Sequence, residues 1–309
     1  MKLALAGDTM LGRGIAHRLA LNPNHALVAP EIVEAIDEAD LFVLNLECCI
    51  SARGRPWPGR AFHFRAPPWA VQALAHIHVD CVTLANNHAL DFGPDALLDT
   101  LSHLDAAGIR VVGAGTDVER ARAPAVVEWG GLRVAIVAFS DHPAEYAATV
   151  DRPGIAYANL QDGVPEWLTR LPEADAVLVF PHWGPNMTSE PLPYIRRAAR
   201  ELLAAGATLV AGHSAHVFHG VAPQILYDLG DFIDDYAVDP ILRNDLGLLF
   251  FVDLAGARLE AIPLKLEFAH TRPATGDEFS WIKRRFTQAC AALGTEAAEA
   301  DGRLVLQWR

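Results

Sequence analysis

Cysteine is scarce, with four in 309 residues. Cys48 and Cys49 are adjacent while Cys81 and Cys290 lie far apart, a spacing that excludes a disulfide framework and fits a reducing compartment. Positive charge is scarce too. Lysine and arginine total 25 against 38 acidic residues, and the net charge of -13 gives a surface field that repels nucleic acid and anionic lipid. An anionic substrate would need a metal ion or a local arginine to receive it. Long hydrophobic runs are missing as well: Asp, His, Arg or Asn interrupts every apolar segment short of the roughly 18 residues of a membrane span. The first run, Leu3 to Ala6, is too short for the core of a secretion signal and is soon ended by Asp8, so a cytoplasmic location is expected. No repeat, low-complexity tract or linker divides the chain, and one domain over residues 1–309 is the expectation.

What the chain does contain is a 51% hydrophobic fraction, arranged as short apolar runs alternating with amphipathic stretches. The runs Leu3 to Ala6, Leu41 to Leu46, Cys81 to Ala85, Val111 to Val112, Val134 to Phe139, Ala176 to Phe180 and Thr208 to Ala211 have the rhythm of a mostly parallel α/β half over residues 1–222. Helices are predicted at Pro30 to Glu38, Pro68 to His76, Pro94 to Ala107 and Leu192 to Ala205. Several open on a first-turn proline, and Gly108 and Gly206 follow two of them as C-caps. Residues 223–309 read differently. Ile225 to Tyr227, Leu248 to Leu254 and Arg258 to Leu266 look like strands, the last two joined by a hairpin at Ala255-Gly256. They suggest a second, more antiparallel sheet, followed by a helix from Gly276 to Leu293 and a short strand at Leu304 to Gln307.

Nearly every strand of the first half runs straight into a residue able to bind metal or move a proton. Asp8 follows the first strand, Asn45 and Glu47 end the second, and Asn86-Asn87-His88 follows the third. His182 follows Ala176 to Phe180, and His213 and His216 follow Thr208 to Ala211. The C-terminal strand ends of an open α/β sheet share one edge, where ligands bind. Asp8, Glu47, Asn87, His182, His213 and His216 therefore form a mixed O/N donor set suited to one or two divalent ions such as Mn, Zn, Fe, Mg or Ca. A lone strand-end Asp or His is more often a cap. It is the convergence that points to a metal, and the absence of cysteine from the set argues against a purely structural zinc.

Five ordered motifs carry a family resemblance: Gly7-Asp8-Thr9-Met10-Leu11-Gly12-Arg13, Asn45-Leu46-Glu47, Ala85-Asn86-Asn87-His88-Ala89-Leu90-Asp91-Phe92-Gly93, His182-Trp183-Gly184 and Gly212-His213-Ser214-Ala215-His216-Val217. The chain resembles the CapA family of poly-γ-glutamate capsule proteins, within the calcineurin-like metallophosphoesterase superfamily. Tyr227-Asp228-Leu229-Gly230-Asp231-Phe232 resembles the segment that follows these motifs in the family. The resemblance implies a four-layer α/β/β/α sandwich with the metals between the strand ends of its two sheets. It also implies that Glu47 bridges two metals, that Asn87, His182 and His213 hold one, and that Asp8 and His216 hold the other. His88 would act as general acid or base, oriented by Asp91. Three departures stand out: Met10 where the superfamily has a histidine, one extra residue between His213 and His216, and glutamate for the bridging aspartate. They make the Asp8/His216 half the weaker of the two.

Substrate contacts are expected from Asn45 of the second motif and, outside the motifs, from Arg65, Asp141, His142 and Arg243. Arg60 to Arg65 alternates like an edge strand, with Arg65 offering a planar fork to a carboxylate. Asp141-His142 ends the strand Val134 to Phe139. Asp231, Asp234, Asp235, Asp239 and Asp245 lack the spacing of a calcium loop and read as caps and loop salt bridges, while His219 stays undecided. Three functions follow. The leading one is a metal-dependent hydrolase, with metal-bound hydroxide attacking a peptidic, γ-glutamyl-type amide or a phosphoester while His88 protonates the leaving group. A metal-dependent peptide Cα epimerase and a non-catalytic accessory protein of poly-γ-glutamate assembly are the alternatives. Peptidic or small anionic molecules are the expected partners, and oligomeric state is open.

Overall fold

The computed structural model describes residues 1–308. Its first large sheet has ten strands. Lys2–Thr9, Leu41–Leu46, Cys81–Thr83 and Arg110–Val112 lie side by side in parallel. On the other side of Lys2–Thr9, Leu246–Asp253 pairs antiparallel with residues 2–5, and Asp231–Ile233 takes over in parallel at Asp8 and Thr9. Arg258–Glu267, Arg303–Gln307 and Ala298–Ala300 continue the antiparallel part. The second sheet has six strands, ordered Val221–Ala222, Ile225–Leu226, Leu209–Ala211, Ala176–His182, Leu132–Ser140 and Ala125–Trp129.

Strand alternation explains how the layers stack, since successive side chains point to opposite faces. In the first strand Leu3 and Leu5 share a core with Val43, Ile136, Leu178 and Phe180, which lies between the sheets. Ala4 and Ala6 instead join Phe42 and Leu44 against Ile15, Ile32, Leu74, Leu97 and Leu104 of the outer helices Arg13–Leu21, Pro30–Ile36, Val71–His76 and Pro94–Ala106. Val137, Phe139, Val177 and Val179 face outward from the second sheet onto Leu168, Ile195, Ala198 and Leu202. Helix, sheet, sheet, helix is therefore the order of layers, the four-layer α/β/β/α sandwich that the resemblance implies. Burial on both faces also explains why these strands read as continuous apolar runs.

The late strands differ from expectation. Most extend the first sheet rather than forming a sheet of their own, because a parallel series growing away from Lys2–Thr9 leaves that strand's other edge unpaired. Ile225–Leu226 joins the second sheet. The hairpin at Ala255-Gly256 is present, pairing Asp253 with Arg258. Gly276–Ala291 covers the inner face of the antiparallel part with Ile282, Phe286 and Cys290, and its Thr275/Glu278 capping box anchors its start. The helices Pro30–Ile36, Pro94–Ala106 and Pro193–Ala204 open on proline. Gly108 and Gly206 sit at positive φ after two of them. The helix Arg13–Leu21 has no counterpart among the predicted elements. Residues 60–64 are loop rather than edge strand, and only Arg65–Ala66 pairs, with Cys49–Ile50. Among the described residues no helix is long and apolar enough to cross a membrane.

Candidate metal centre

A bulge aims the first candidate ligand. Strict alternation would send Asp8 to the outer face with Ala4 and Ala6. The pairing with Leu41–Leu46 skips Gly7, however, so that Asp8 stands opposite Asn45, and an extra residue of this kind re-aims the side chain after it. Gly7 has to be glycine, since a Cβ there would lie 1.8 Å from the Gly230 carbonyl oxygen, and the next amide, that of Asp8, donates to this same oxygen at 2.9 Å. Glu47 leaves the second strand held by its amide on the Thr9 carbonyl. His182 ends its strand beside His213, with the ring centroids 5.0 Å apart. The His216 loop is braced by Asp228, which accepts from the amides of Ala215 and Gly230.

These strand ends bring Asp8, Glu47, His182, His213 and His216 together in the interior. Ligand atoms of Asp8, His182 and His213 lie within 4.8 Å of one another, and so do those of Asp8, Glu47 and His216. Asp8 is thus the residue common to both groups. Glu47 also spans the gap, with Oε1 3.8 Å from His182 Nε2 and Oε2 4.0 Å from His216 Nδ1. Asp8 Oδ2, Glu47 Oε1, Asn87 Oδ1 and His182 Nε2 are all buried without a hydrogen-bond partner. Each such atom costs about 1–3 kcal/mol if left unpaired. Three of them, on Asp8, Glu47 and His182, belong to the two ligand groups, and their concentration there fits residues waiting for a cation.

The electrostatics agree with that use. Burial pushes His182 well below the ordinary histidine range and His213 down to about 4, keeping both in the neutral form that ligates metal. Burial pushes the Glu47 carboxyl well up, helped by the neighbouring Asp8. For Asp8 burial acts in the same sense, but His216, His213 and Asn45 outweigh it and the carboxyl is lowered. Burial works against a charge on His216, yet Asp231, Glu47 and Asp8 surround it and raise it well above its usual value.

Beside this centre stands a histidine–carboxylate pair. His88 Nδ1 lies 2.6 Å from Asp91 Oδ2, which also accepts from the Phe64 amide at 2.7 Å, while Tyr146 donates its hydroxyl to Oδ1 at 3.1 Å. Phe64 stacks on the imidazole at 4.0 Å. With Nδ1 committed to Asp91, Nε2 is the nitrogen left for chemistry. Burial lowers the His88 pKa, with Asp91 opposing.

The expected substrate contacts divide. His142 packs near His182, ring centroids 5.2 Å apart, and Asp141 holds it at 2.5 Å while also accepting from Tyr194 and the Gly184 amide. Asn45, by contrast, is buried behind the site. Its amide donates to Asp8 Oδ1 at 2.7 Å, and its oxygen accepts from Thr83 and Asn86, so it orients Asp8 rather than meeting solvent. Arg65 lies over Phe92 and donates to the Arg53 carbonyl. Arg243 pairs with Asp245 beside Trp281, and neither arginine contacts the metal-binding groups. Of the acidic stretch, Asp239 does cap a turn and Asp245 does form salt bridges. Asp231 does not fit that reading, since it reaches His216; Tyr236, a residue of the same stretch that no sequence signal singles out, reaches Glu47. A cavity of about 950 Å³ lies elsewhere among the outer helices, lined by Leu19, Leu27, Val33, Trp69 and Ala73.

His219 is no ligand. It is buried, with Nε2 on the Thr188 carbonyl and Nδ1 unpaired, and burial holds its pKa down to about 4. The unfolded chain takes up this proton near pH 6.5, so stability is complete above that pH and falls as pH drops toward 4. The loss is on the order of 3 kcal/mol. In urea unfolding of metal-free protein His182 and His213 add a decline in the same sense, so His219→Gln is expected to make the decline between pH 7 and 4.5 shallower without abolishing it; equal declines in both proteins would rule out a contribution from His219.

The sequence model of the family described as "Bacterial capsule synthesis protein PGA_cap" matches residues 2–236. A Mycobacterium tuberculosis protein named "Probable polyglutamine synthesis accessory protein" is 30% identical, over 94% of this chain and 91% of its own. The capsule biosynthesis protein CapA of Bacillus anthracis is 29% identical, over 89% and 70% respectively. Among solved structures, a phosphatase of Mycoplasma pneumoniae aligns over 86% of this chain and 93% of its own at 14% identity, with a TM-score of 0.49.

Proposed function

The chain belongs to the bacterial capsule synthesis protein family PGA_cap, and on that footing we propose that it is a metal-dependent, hydrolase-like enzyme acting on a peptidic, γ-glutamyl-type amide or a phosphoester. The observation that carries this reading is the cluster of buried, unpartnered donor atoms on Asp8, Glu47 and His182, at strand ends of the two sheets beside the His88–Asp91 pair. Asp8, Glu47, Asn87, His182, His213 and His216 would hold one or two divalent ions. A bound ion supplies Lewis-acid activation of water and of the scissile group.

The chain's own residues do the rest. His88, protonated on both nitrogens, delivers the Nε2 proton to the leaving group and returns to the neutral form, while Asp91 fixes its ring through Nδ1 and compensates the imidazolium charge before the transfer. Tyr146 and the Phe64 amide hold Asp91 still, so that the imidazole does not swing. His142, next to His182 and held by Asp141, is placed to meet the polar part of a substrate.

The relative named as an accessory protein supports a second reading, in which the centre binds a polymer or a partner without turnover. Metal analysis of the purified protein, combined with turnover assays on γ-glutamyl peptides and phosphoesters, separates the two. Bound divalent metal with metal-dependent cleavage is the expected result. Bound metal with no cleavage or exchange of any of these compounds would favour the accessory reading, and a protein that neither holds nor is stabilised by divalent ions would sink both.

A further inference from the structure

One short segment, residues 231–236, touches two of the three groups in the Asp8/Glu47/His216 half. Asp231 lies level with Asp8 on the adjacent parallel strand. Its Oδ1 accepts from His216 Nδ1 at 2.8 Å, and its Oδ2 is buried without a partner. Five residues on, Tyr236 donates its hydroxyl to Glu47 Oε2 at 2.9 Å, leaving Oε1 as the unpartnered oxygen. The Tyr236 ring stacks on Phe64 at 5.5 Å and stands edge-on to His216 at 5.1 Å. Since Phe64 also stacks on His88, a column of three rings joins this half of the centre to the proton-transfer pair.

The consequences for a bound cation differ between the two halves. His182 and His213 bring two imidazoles to one group, whereas His216 is the single imidazole of the other. A carboxylate beside an imidazole fixes the direction of the ring and raises its basicity, as Asp231 does for His216, whose Nδ1 also lies 3.2 Å from Asp8 Oδ2. A carboxylate fixed at one oxygen offers the other without reorganising, and in Glu47 the oxygen left free is the one 3.8 Å from His182 Nε2. We infer that Asp231 and Tyr236 are positioning residues for the two halves of the centre, Asp231 acting through His216 on the Asp8/Glu47/His216 position and Tyr236 acting through Glu47, whose free Oε1 it leaves facing His182. The inference rests on the metal-centre reading above.

The test titrates metal-free full-length protein with Co²⁺, followed by visible absorption, and with Mn²⁺, followed by calorimetry. Wild type, Asp231→Asn, Tyr236→Phe and His216→Ala are compared, with melting curves of the metal-free proteins alongside. Asp231→Asn keeps the side chain's shape and loses its charge, and Tyr236→Phe keeps the ring stack, so both variants should fold. The expected result is a loss of about 10- to 100-fold in affinity, in Asp231→Asn for the ion that His216→Ala also removes and in Tyr236→Phe for the ion that Glu47 Oε1 and His182 face. In Asp231→Asn the Co²⁺ spectrum of any ion bound by His182 and His213 should be unchanged. Wild-type titrations in both variants would overturn the inference, as would equal loss of every bound ion together with a lowered melting temperature, which would mark a structural role. A wild-type protein that binds neither ion would instead refute the metal-centre reading itself.

Discussion

Asp8→Ala is expected to strip the protein of divalent metal altogether, because Asp8 alone belongs to both groups of candidate ligands. Removing a residue next to a ligand already costs about 10- to 100-fold in affinity. Removing a shared ligand should cost more than that at each position, leaving activity at background. His182→Ala and His216→Ala should be milder, each disabling one group. Metal content after dialysis, measured on all three variants at equal folded fraction, checks the order. If Asp8→Ala kept a stoichiometric ion at wild-type affinity, Asp8 would not be the shared member, and Glu47, which reaches toward both His182 and His216, would take that place.

His88→Ala should produce the opposite signature. His88 is in neither ligand group, so metal content and melting temperature should hold while turnover falls by about 10²- to 10⁴-fold, the usual worth of a positioned general acid. Asp91→Asn should fall between wild type and His88→Ala, because an amide still receives the Phe64 amide or the Tyr146 hydroxyl but no longer compensates an imidazolium. The measurement is kcat on whichever substrate the assays identify, with metal content in parallel. Unchanged turnover in His88→Ala would remove His88 from the chemistry. Loss of metal along with turnover would make it part of the metal centre.

The parts of the site that were legible are those written by strand periodicity. A buried strand in a parallel sheet reads as an apolar run, and the polar residue that ends it sits at a predictable edge, so Asp8, Glu47, His182 and His213 could be placed by counting. Side-chain direction past a strand end could not. Asn45 and Asp8 face one another only because Gly7 is skipped in the pairing, and Arg65 and Arg243 point elsewhere because loop contacts decide where they go. Asp231 and Tyr236 were harder still. Their role depends on a strand inserted beside Lys2–Thr9 from more than two hundred residues away, a register that no local pattern encodes. Likewise the late antiparallel strands were legible as strands, but their sheet was set by which edge lay unpaired.

The pairing of Lys2–Thr9 also dictates an order of events. This strand precedes its sheet neighbours in the chain and sits near the middle of the ten-stranded sheet, yet one of its edges stays bare until Asp231–Ile233 and Leu246–Asp253 have been made. Until then Asp8 lacks its neighbour Asp231, Gly7 lacks the Gly230 carbonyl that it packs against, and an apolar strand edge is open to pairing with other chains. Metal capture would therefore be a late step in the life of each molecule, reserved for chains synthesised well past the last histidine of the centre.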